Sequence, residues 1–135
     1  MISFEELKLQ TPSREVLVNI TSEINQVVRK SNVREGVCRI FIPHTTAGIT
    51  INENADPAVM KDIINHLRKL IPQSAGFSHG EGNSDAHIKS TLTGPSIDVM
   101  IHDGRLVLGT WQGIMFAEYD GPRRRKIYVQ IQGEP

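Results

Sequence analysis

The chain has 135 residues, of which 39% are hydrophobic and 22% are charged, and these fractions exclude an intrinsically disordered protein. A length of this order is usual for one domain, so we expect a single domain over residues 1–135. Fifteen basic and fifteen acidic residues give a net charge of zero. No overall field therefore attracts nucleic acid or an anionic membrane, and neither is expected as a partner.

The N-terminus and the single cysteine give two further expectations. Residues 1–10 lack the basic start and apolar run of a signal peptide, and no stretch reaches membrane-spanning length, so we expect a cytoplasmic protein. Cys38 cannot form an internal disulfide bond, and its neighbours Val37, Ile40 and Ile42 are typical of a buried strand. We interpret Cys38 as a core residue and not as a nucleophile.

The first half of the chain predicts strands and one helix. Residues 16–20 are apolar and strand-like. Thr21 is a candidate N-cap for a helix over residues 22–30, where apolar residues recur at helical spacing. Residues 37–42 and 48–51 are enriched in β-branched side chains, as strands are. A helix therefore lies between the first strand and a pair of later strands.

A second helix is predicted to start after Asp56. Asp56 is a candidate N-cap, and Pro57 suits the first helical position, where a backbone N–H is not needed. Pro72 ends this helix, because proline cannot continue it. The apolar residues between these points mark one helical face: Val59, Met60, Ile63, Ile64, Leu67, Leu70 and Ile71.

A long polar loop and a third, short helix follow. Residues 73–85 are rich in Gly, Ser, Asn and charged side chains, and loops of this length are often functional. Ser84 or Asp85 can cap a short helix that carries His87, and Gly94 stands where that helix should end.

The last third of the chain predicts antiparallel strands. The dipeptides Asp103-Gly104 and Asp120-Gly121 are typical of tight hairpin turns. They join four strand-like segments in pairs: 96–102 with 105–109, and 114–119 with 126–132. The element order lacks strict strand–helix alternation, so we predict an α+β fold, a mostly antiparallel β-sheet with two or three helices packed against it in a single domain.

Three of the five histidines lie in or beside loops. His44 follows a strand, His79 lies in a glycine-rich loop, and His87 opens the short helix, whereas we interpret His66 and His102 as structural or exposed. Imidazole is the commonest metal ligand when neutral, and the helix dipole disfavours a proton on His87. The spacing of His79 and His87 matches no local metal signature. Spacing alone therefore leaves open both a three-histidine metal site and histidines without that role.

A second polar cluster, residues 52–56, joins a strand to the second helix. Asp56 is explained as a helix cap. Glu53 is a candidate general base or metal ligand, because a strand-to-helix loop does not require a glutamate. The alternative interpretation of Glu53 is a solvated loop charge.

Several residues could bind a phosphate. Thr45, Thr46 and the first turn of the third helix offer hydroxyl and backbone N–H groups. Lys89 could add a fixed charge, although an ion pair with Asp85 four residues earlier is an equal alternative. The basic run 123–126 is interpreted as a solvated turn and strand edge, with a phosphate contact as the alternative.

Trp111 and Gln112 stand between two predicted strands. They could form a stacking wall and a hydrogen-bonding group beside a ligand. Because tryptophan is often simply a core residue, burial of Trp111 is the alternative.

These motifs together resemble the YjbQ family of secondary thiamine-phosphate synthases. The resemblance is carried by four ordered runs and by Asp120-Gly121-Pro122-Arg123; the runs are His44-Thr45-Thr46-Ala47-Gly48, Asn52-Glu53-Asn54-Ala55-Asp56-Pro57, Gly82-Asn83-Ser84-Asp85-Ala86-His87-Ile88-Lys89 and Gly109-Thr110-Trp111-Gln112-Gly113-Ile114. The resemblance implies an α+β fold, a homotrimer and a pocket built from these motifs. It also implies a divalent metal at His44, His79 and His87, with zinc favoured over magnesium because the ligands are imidazoles.

The resemblance further implies an enzyme that joins a pyrimidine carried on pyrophosphate to a thiazole phosphate. Metal, Lys89 and Arg123 would neutralise the departing pyrophosphate. We expect Glu53 and His87 to be catalytic, and a small phosphorylated or anionic substrate to be bound by Thr45, Thr46, Asn52, Lys89, Ser90, Trp111, Gln112 and Arg123. The alternative is a non-catalytic homotrimer that binds a small anionic metabolite or a metal through the same loops.

Overall fold

The computed structural model describes residues 1–135 as eight strands and three helices. In chain order these are β1 (Ile2–Gln10), β2 (Val16–Asn19), α1 (Thr21–Ser31), β3 (Glu35–Phe41), β4 (Ala47–Glu53), α2 (Pro57–Leu70), α3 (Ser84–Thr93), β5 (Ser96–His102), β6 (Arg105–Leu106), β7 (Gln112–Glu118) and β8 (Arg124–Glu134). The predicted α+β class is confirmed. No helix combines the length and the apolar character needed to cross a membrane.

The strands form two antiparallel sheets. The five-stranded sheet has the order β1-β8-β3-β5-β6, and the three-stranded sheet has the order β2-β7-β4. In the small sheet, Ala47 pairs with Glu118 at one end of β4 and Glu53 pairs with Gln112 at the other. The segment that joins β3 to β4, residues 42–46, therefore lies near the end of the small sheet that contains Glu118.

The small sheet is a middle layer that is covered on both faces. On one face, Ile114 and Phe116 join the main core with α1 and the inner face of the five-stranded sheet. On the other face, Met115 and Ala117 pack with Ile64 of α2 and with residues of α3 and β2. Burial on both faces explains why β7 is continuously apolar instead of alternating. It also holds α3 in place on the sheet.

The outer face of the five-stranded sheet has no covering helix. Phe4, Phe41 and Met100 point outward from three strands and are 63%, 43% and 65% exposed. Ile2, in β1, is 67% exposed on the same face. On the inner face, Cys38 is fully buried, and burial raises the pKa of its thiol to about 12. The interpretation of Cys38 as a core residue is confirmed.

The helix starts agree with the sequence in one case and differ in two. The Asp56 carboxylate accepts a hydrogen bond from the Ala58 N–H at 2.9 Å, which confirms this cap. Thr21 lies inside α1 and not at its N-cap, because its hydroxyl is engaged by Asn19 and by the Ile114 N–H. The N-cap of α3 is Asn83, which precedes the two predicted candidates, Ser84 and Asp85.

One strand was not predicted, and one hairpin prediction is wrong. Residues 2–10 form β1 along β8, with Leu7 and Leu9 on the face that packs against the core. Asp120-Gly121 is not a hairpin, because β7 and β8 belong to different sheets. Asp103-Gly104 is a hairpin turn as predicted, with both residues at positive φ, where glycine is favoured.

Candidate functional site

A polar cleft of about 340 Å³ lies where β3, α3 and the segment between β7 and β8 meet. Nine of its ten lining residues are polar or charged, which is unusual for a ligand pocket and suits a charged ligand. The lining residues come from three chain segments: Pro43, His44, Thr45 and Thr46; Glu81, Asn83 and His87; Asp120, Arg123 and Arg125. The structure thus brings together five of the predicted site residues.

His44 is fixed by the end of β3. The last residue pair between β3 and β8 is Phe41 with Tyr128. If β3 continued for two residues, Pro43 would pair with Lys126. The chain leaves the sheet instead, and the backbone N–H of Lys126 donates to Nε2 of His44 at 2.8 Å. A nitrogen that accepts this bond carries no proton, so the neutral ring of His44 carries its proton on Nδ1. Burial, and then the nearby charge of Arg125, lower the pKa of His44, which favours this neutral form.

A buried ion pair forms the floor of the cleft. The Arg125 guanidinium donates to both carboxylate oxygens of Glu118, which is fully buried, and Arg125 Nη2 also donates to the Thr46 hydroxyl at 2.9 Å. The Thr11 hydroxyl donates to Glu118 at 2.7 Å. Burial alone would raise the pKa of Glu118, but hydrogen bonds from Arg125, Thr11 and the Asp120 N–H hold it below its usual value. Both partners are therefore charged.

The α3 side of the cleft offers acceptors. The rings of His79 and His87 lie edge to face, with centroids 5.5 Å apart. Asn83 Nδ2 donates to Asp120 at 2.9 Å, and the orientation this imposes leaves Asn83 Oδ1 as the one buried side-chain polar atom without a hydrogen-bond partner. Arg123 also binds Asp120. An unpaired buried acceptor is costly, so this oxygen suits a ligand donor or a cation.

The predicted metal ligands fit a metal only in part. His79 and His87 are adjacent and can offer two ring nitrogens to one ion. His44 does not fit, because a metal on Nδ1 would force the proton onto Nε2, against the N–H of Lys126. One cluster of three residues does place its potential ligand atoms within 4.8 Å of one another: Glu35, His102 and Asp103. These residues are exposed beside a hairpin, and Glu35 accepts hydrogen bonds from the other two.

Lys89 and Ser90 are not part of the cleft. Lys89 is 1% exposed, and its ammonium donates to Glu15 at 2.7 Å and to Asp85 at 2.8 Å. Ser90 donates to the carbonyl of Ala47 at 2.7 Å. Their predicted substrate contacts are corrected: both side chains attach α3 to the rest of the fold.

A second group of predicted residues lies far from the histidines. Asn52, Glu53, Trp111 and Gln112 meet where β4 ends and β7 begins. Thr46 lies immediately before the first residue of β4, whereas Glu53 is its last residue. A seven-residue strand spans about 20 Å, so this distance separates Thr46 from Glu53. The expectation that Glu53 lies close to the histidines is therefore wrong within one chain. Trp111 is 63% exposed, so it is not a core residue either.

Asn83, Asp120 and Arg125 line the cleft and Glu118 lies beneath it, yet none of the four was among the predicted site residues, although Asn83 and Asp120 stand in the motifs that carry the family resemblance. Arg125 had a usable signal: it is in phase with Ile127, Val129 and Ile131, which predicts that it points inward from β8. This alternation was overlooked because Arg125 belongs to a run of four successive basic residues, 123–126, and such runs are usually solvated. The other three residues come together only through the tertiary fold.

Comparison with known proteins identifies close relatives. Residues 5–134 match the sequence model of the family described as UPF0047 protein YjbQ-like. A UPF0047 protein of Methanocaldococcus jannaschii is 58% identical over 127 residues, 94% of this chain and 92% of that protein. A crystal structure of a YjbQ/UPF0047-family protein from Clostridium acetobutylicum has a TM-score of 0.93 at 49% identity, over 95% of this chain and 99% of that one. A YbjQ-like protein from Sulfolobus solfataricus has a TM-score of 0.95 at 36% identity, over 99% of both chains.

Proposed function

The chain belongs to the UPF0047 (YjbQ-like) family. We propose that it is a small-molecule enzyme that acts on a phosphorylated substrate in the polar cleft. The observation that carries the proposal is a cleft in which nine of the ten lining residues are polar or charged, with the unpaired Asn83 Oδ1 buried in its wall. Folded proteins rarely leave such an acceptor unpaired, and a bound ligand or ion would pair it.

The charges around the cleft suit a phosphorylated molecule. Thr45 and Arg123 offer a hydroxyl and a guanidinium on one side. His87 and Asn83 offer acceptors on the other side. A substrate with a phosphate at one end and a hydrogen-bond donor at the other would match both sides.

The reaction we propose is a substitution in which pyrophosphate leaves, as in thiamine-phosphate synthesis. A thiazole nitrogen forms the new bond to carbon as the carbon–oxygen bond to pyrophosphate breaks, and the electron pair leaves with the pyrophosphate. His87 would act on the departing group through the metal ion that it would help to hold, and Arg123 would bind the charge of that group.

A divalent metal is part of this proposal. His79 and His87 would hold it, and imidazole ligands favour zinc over magnesium. When bound, the metal would supply positive charge to the phosphate oxygens.

The test compares His87→Gln with His66→Gln, a substitution of an exposed histidine on α2. We expect His87→Gln to lower thiamine-phosphate formation, measured with added zinc and with added magnesium, by about a hundredfold, because losing one group that stabilises the charge of the leaving pyrophosphate costs about that factor. His66→Gln should retain full turnover. Equal turnover in both variants would refute the role of His87.

The second candidate function is a non-catalytic protein that binds a small anionic metabolite through the same cleft. The distance of about 20 Å between Thr46 and Glu53 favours it, because the cleft of one chain then lacks the expected catalytic carboxylate. Calorimetry with pyrophosphate separates the two functions. Binding without turnover of the thiazole and pyrimidine substrates supports the binding protein.

The proposed assembly is a homotrimer. It is supported by the uncovered outer face of the five-stranded sheet, where Phe4 of β1, Phe41 of β3 and Met100 of β5 are exposed. Apolar patches of this kind mark protein interfaces, and a second copy of the chain would cover the patch.

Light scattering at micromolar concentration is expected to give three times the mass of the chain. Phe41→Lys should shift the mass toward the monomer, because a buried lysine would lack a partner. Leu70→Lys, at the exposed end of α2, is the matched control and should leave the trimer intact. A monomer mass for the unmodified protein would refute the trimer.

A further inference from the structure

His44 is the residue whose geometry disagrees most clearly with the expected metal site. Its Nε2 accepts the N–H of Lys126 at 2.8 Å, at the position where β3 leaves the sheet and β8 would otherwise have an unpaired donor. A backbone donor of this kind needs an acceptor, so the sheet itself fixes which ring nitrogen is unprotonated. The cleft therefore faces an imidazole that has an N–H to give and no free lone pair.

We infer that His44 is a hydrogen-bond donor to a phosphoryl oxygen and not a metal ligand. Nδ1–H has no acceptor within the chain, and the residue lines the cleft beside Thr45 and Arg125. This inference rests on the proposed function, because it names the group of the substrate that His44 binds.

The neighbours of His44 have the same donor character. Arg125 is 4% exposed, its Nε and Nη2 are used by Glu118 and Thr46, and its Nη1 has no partner within the chain. Thr45 is exposed at the rim with a free hydroxyl. Three donors on one side of a cleft suit an acceptor-only group, such as a phosphate dianion, and disfavour a cation there.

The cleft therefore has a side that offers hydrogen-bond donors and a side that offers acceptors. The side formed by His44, Thr45 and Arg125 takes the phosphoryl oxygens, and the side formed by Asn83 and His87 takes a donor or a metal ion. A metal held by His44, His79 and His87 together would need the opposite tautomer of His44 and would break the bond to Lys126.

The first experiment records long-range ¹H–¹⁵N spectra of the unmodified, ¹⁵N-labelled protein at neutral pH. His44 should show a protonated Nδ1 and an unprotonated Nε2, and stoichiometric zinc should leave both signals in place. Inorganic pyrophosphate should shift the Nδ1 signal. A protonated Nε2, or a zinc-induced shift of either nitrogen to a metal-bound value, would overturn the inference.

The second experiment measures pyrophosphate binding by calorimetry. His44→Ala should weaken binding by about tenfold to a hundredfold, since a hydrogen bond to a charged group is lost, whereas His66→Ala should not change it. Circular dichroism checks that His44→Ala is folded. Pyrophosphate binding that leaves the His44 signals of the unmodified protein unchanged overturns this inference alone. Absence of any binding to the unmodified protein overturns the proposed function, and with it the phosphoryl contact of His44.

Discussion

Replacing Arg125 with methionine is expected to lower the free energy of unfolding by about 3–5 kcal/mol, a large part of the stability of a small domain. The cause is the Glu118 carboxylate, which is fully buried and would lose the guanidinium that binds both of its oxygens. Thr11 would remain as a partner, but a neutral hydroxyl does not balance the charge. Urea unfolding at neutral pH measures the difference.

Arg124→Met is the matched control, because Arg124 is adjacent in β8 and exposed. Its loss should change stability by less than about 0.5 kcal/mol. The double variant Glu118→Gln with Arg125→Met should recover part of the loss, since the buried charge is then absent. Equal unfolding midpoints for Arg125→Met and Arg124→Met would show that the pair contributes nothing to stability.

The contribution of Glu118 also has a defined pH dependence. Its pKa in the folded protein lies below the usual value of 4.5, so its pairing stabilises the protein above that pH. The stabilisation is lost as the pH falls through the lower folded pKa. The difference between the unmodified protein and Arg125→Met should therefore shrink in acid.

Lys89→Met is expected to lower the free energy of unfolding by about 3 kcal/mol. Lys89 lies between the buried carboxylates of Glu15 and Asp85, and its removal leaves the exposed Arg68 and the part-exposed Arg14 to balance them. Burial alone would raise the pKa of Asp85, but hydrogen bonds from Arg14 and Lys89 hold it below its usual value.

The comparison is Lys61→Met, an exposed lysine on α2 without a hydrogen bond. Urea unfolding should show a large shift for Lys89→Met and almost none for Lys61→Met. A midpoint for Lys89→Met equal to that of the control would mean that Lys89 is not required to balance the carboxylates.

Local chemistry in the sequence determined the helices and most strands. Asp56-Pro57 and Gly94 mark helix ends through backbone requirements that hold in any fold, and Asp103-Gly104 does the same for a hairpin. The β-branched residues of β3 and β4 predict strands for the same reason, because side-chain shape acts locally. The four ordered runs also indicated the YjbQ family before any contact was known.

Only the tertiary structure decided which of these motifs meet. The histidine and Glu53 motifs resemble parts of one site, yet they lie at opposite ends of the small sheet, because strand pairing and not sequence spacing sets those distances. Lys89 resembles a substrate contact until the packing of α3 against the segment before β2 buries it between two carboxylates. The protonated nitrogen of His44 depends on a backbone donor 82 residues away, and no local pattern contains that information.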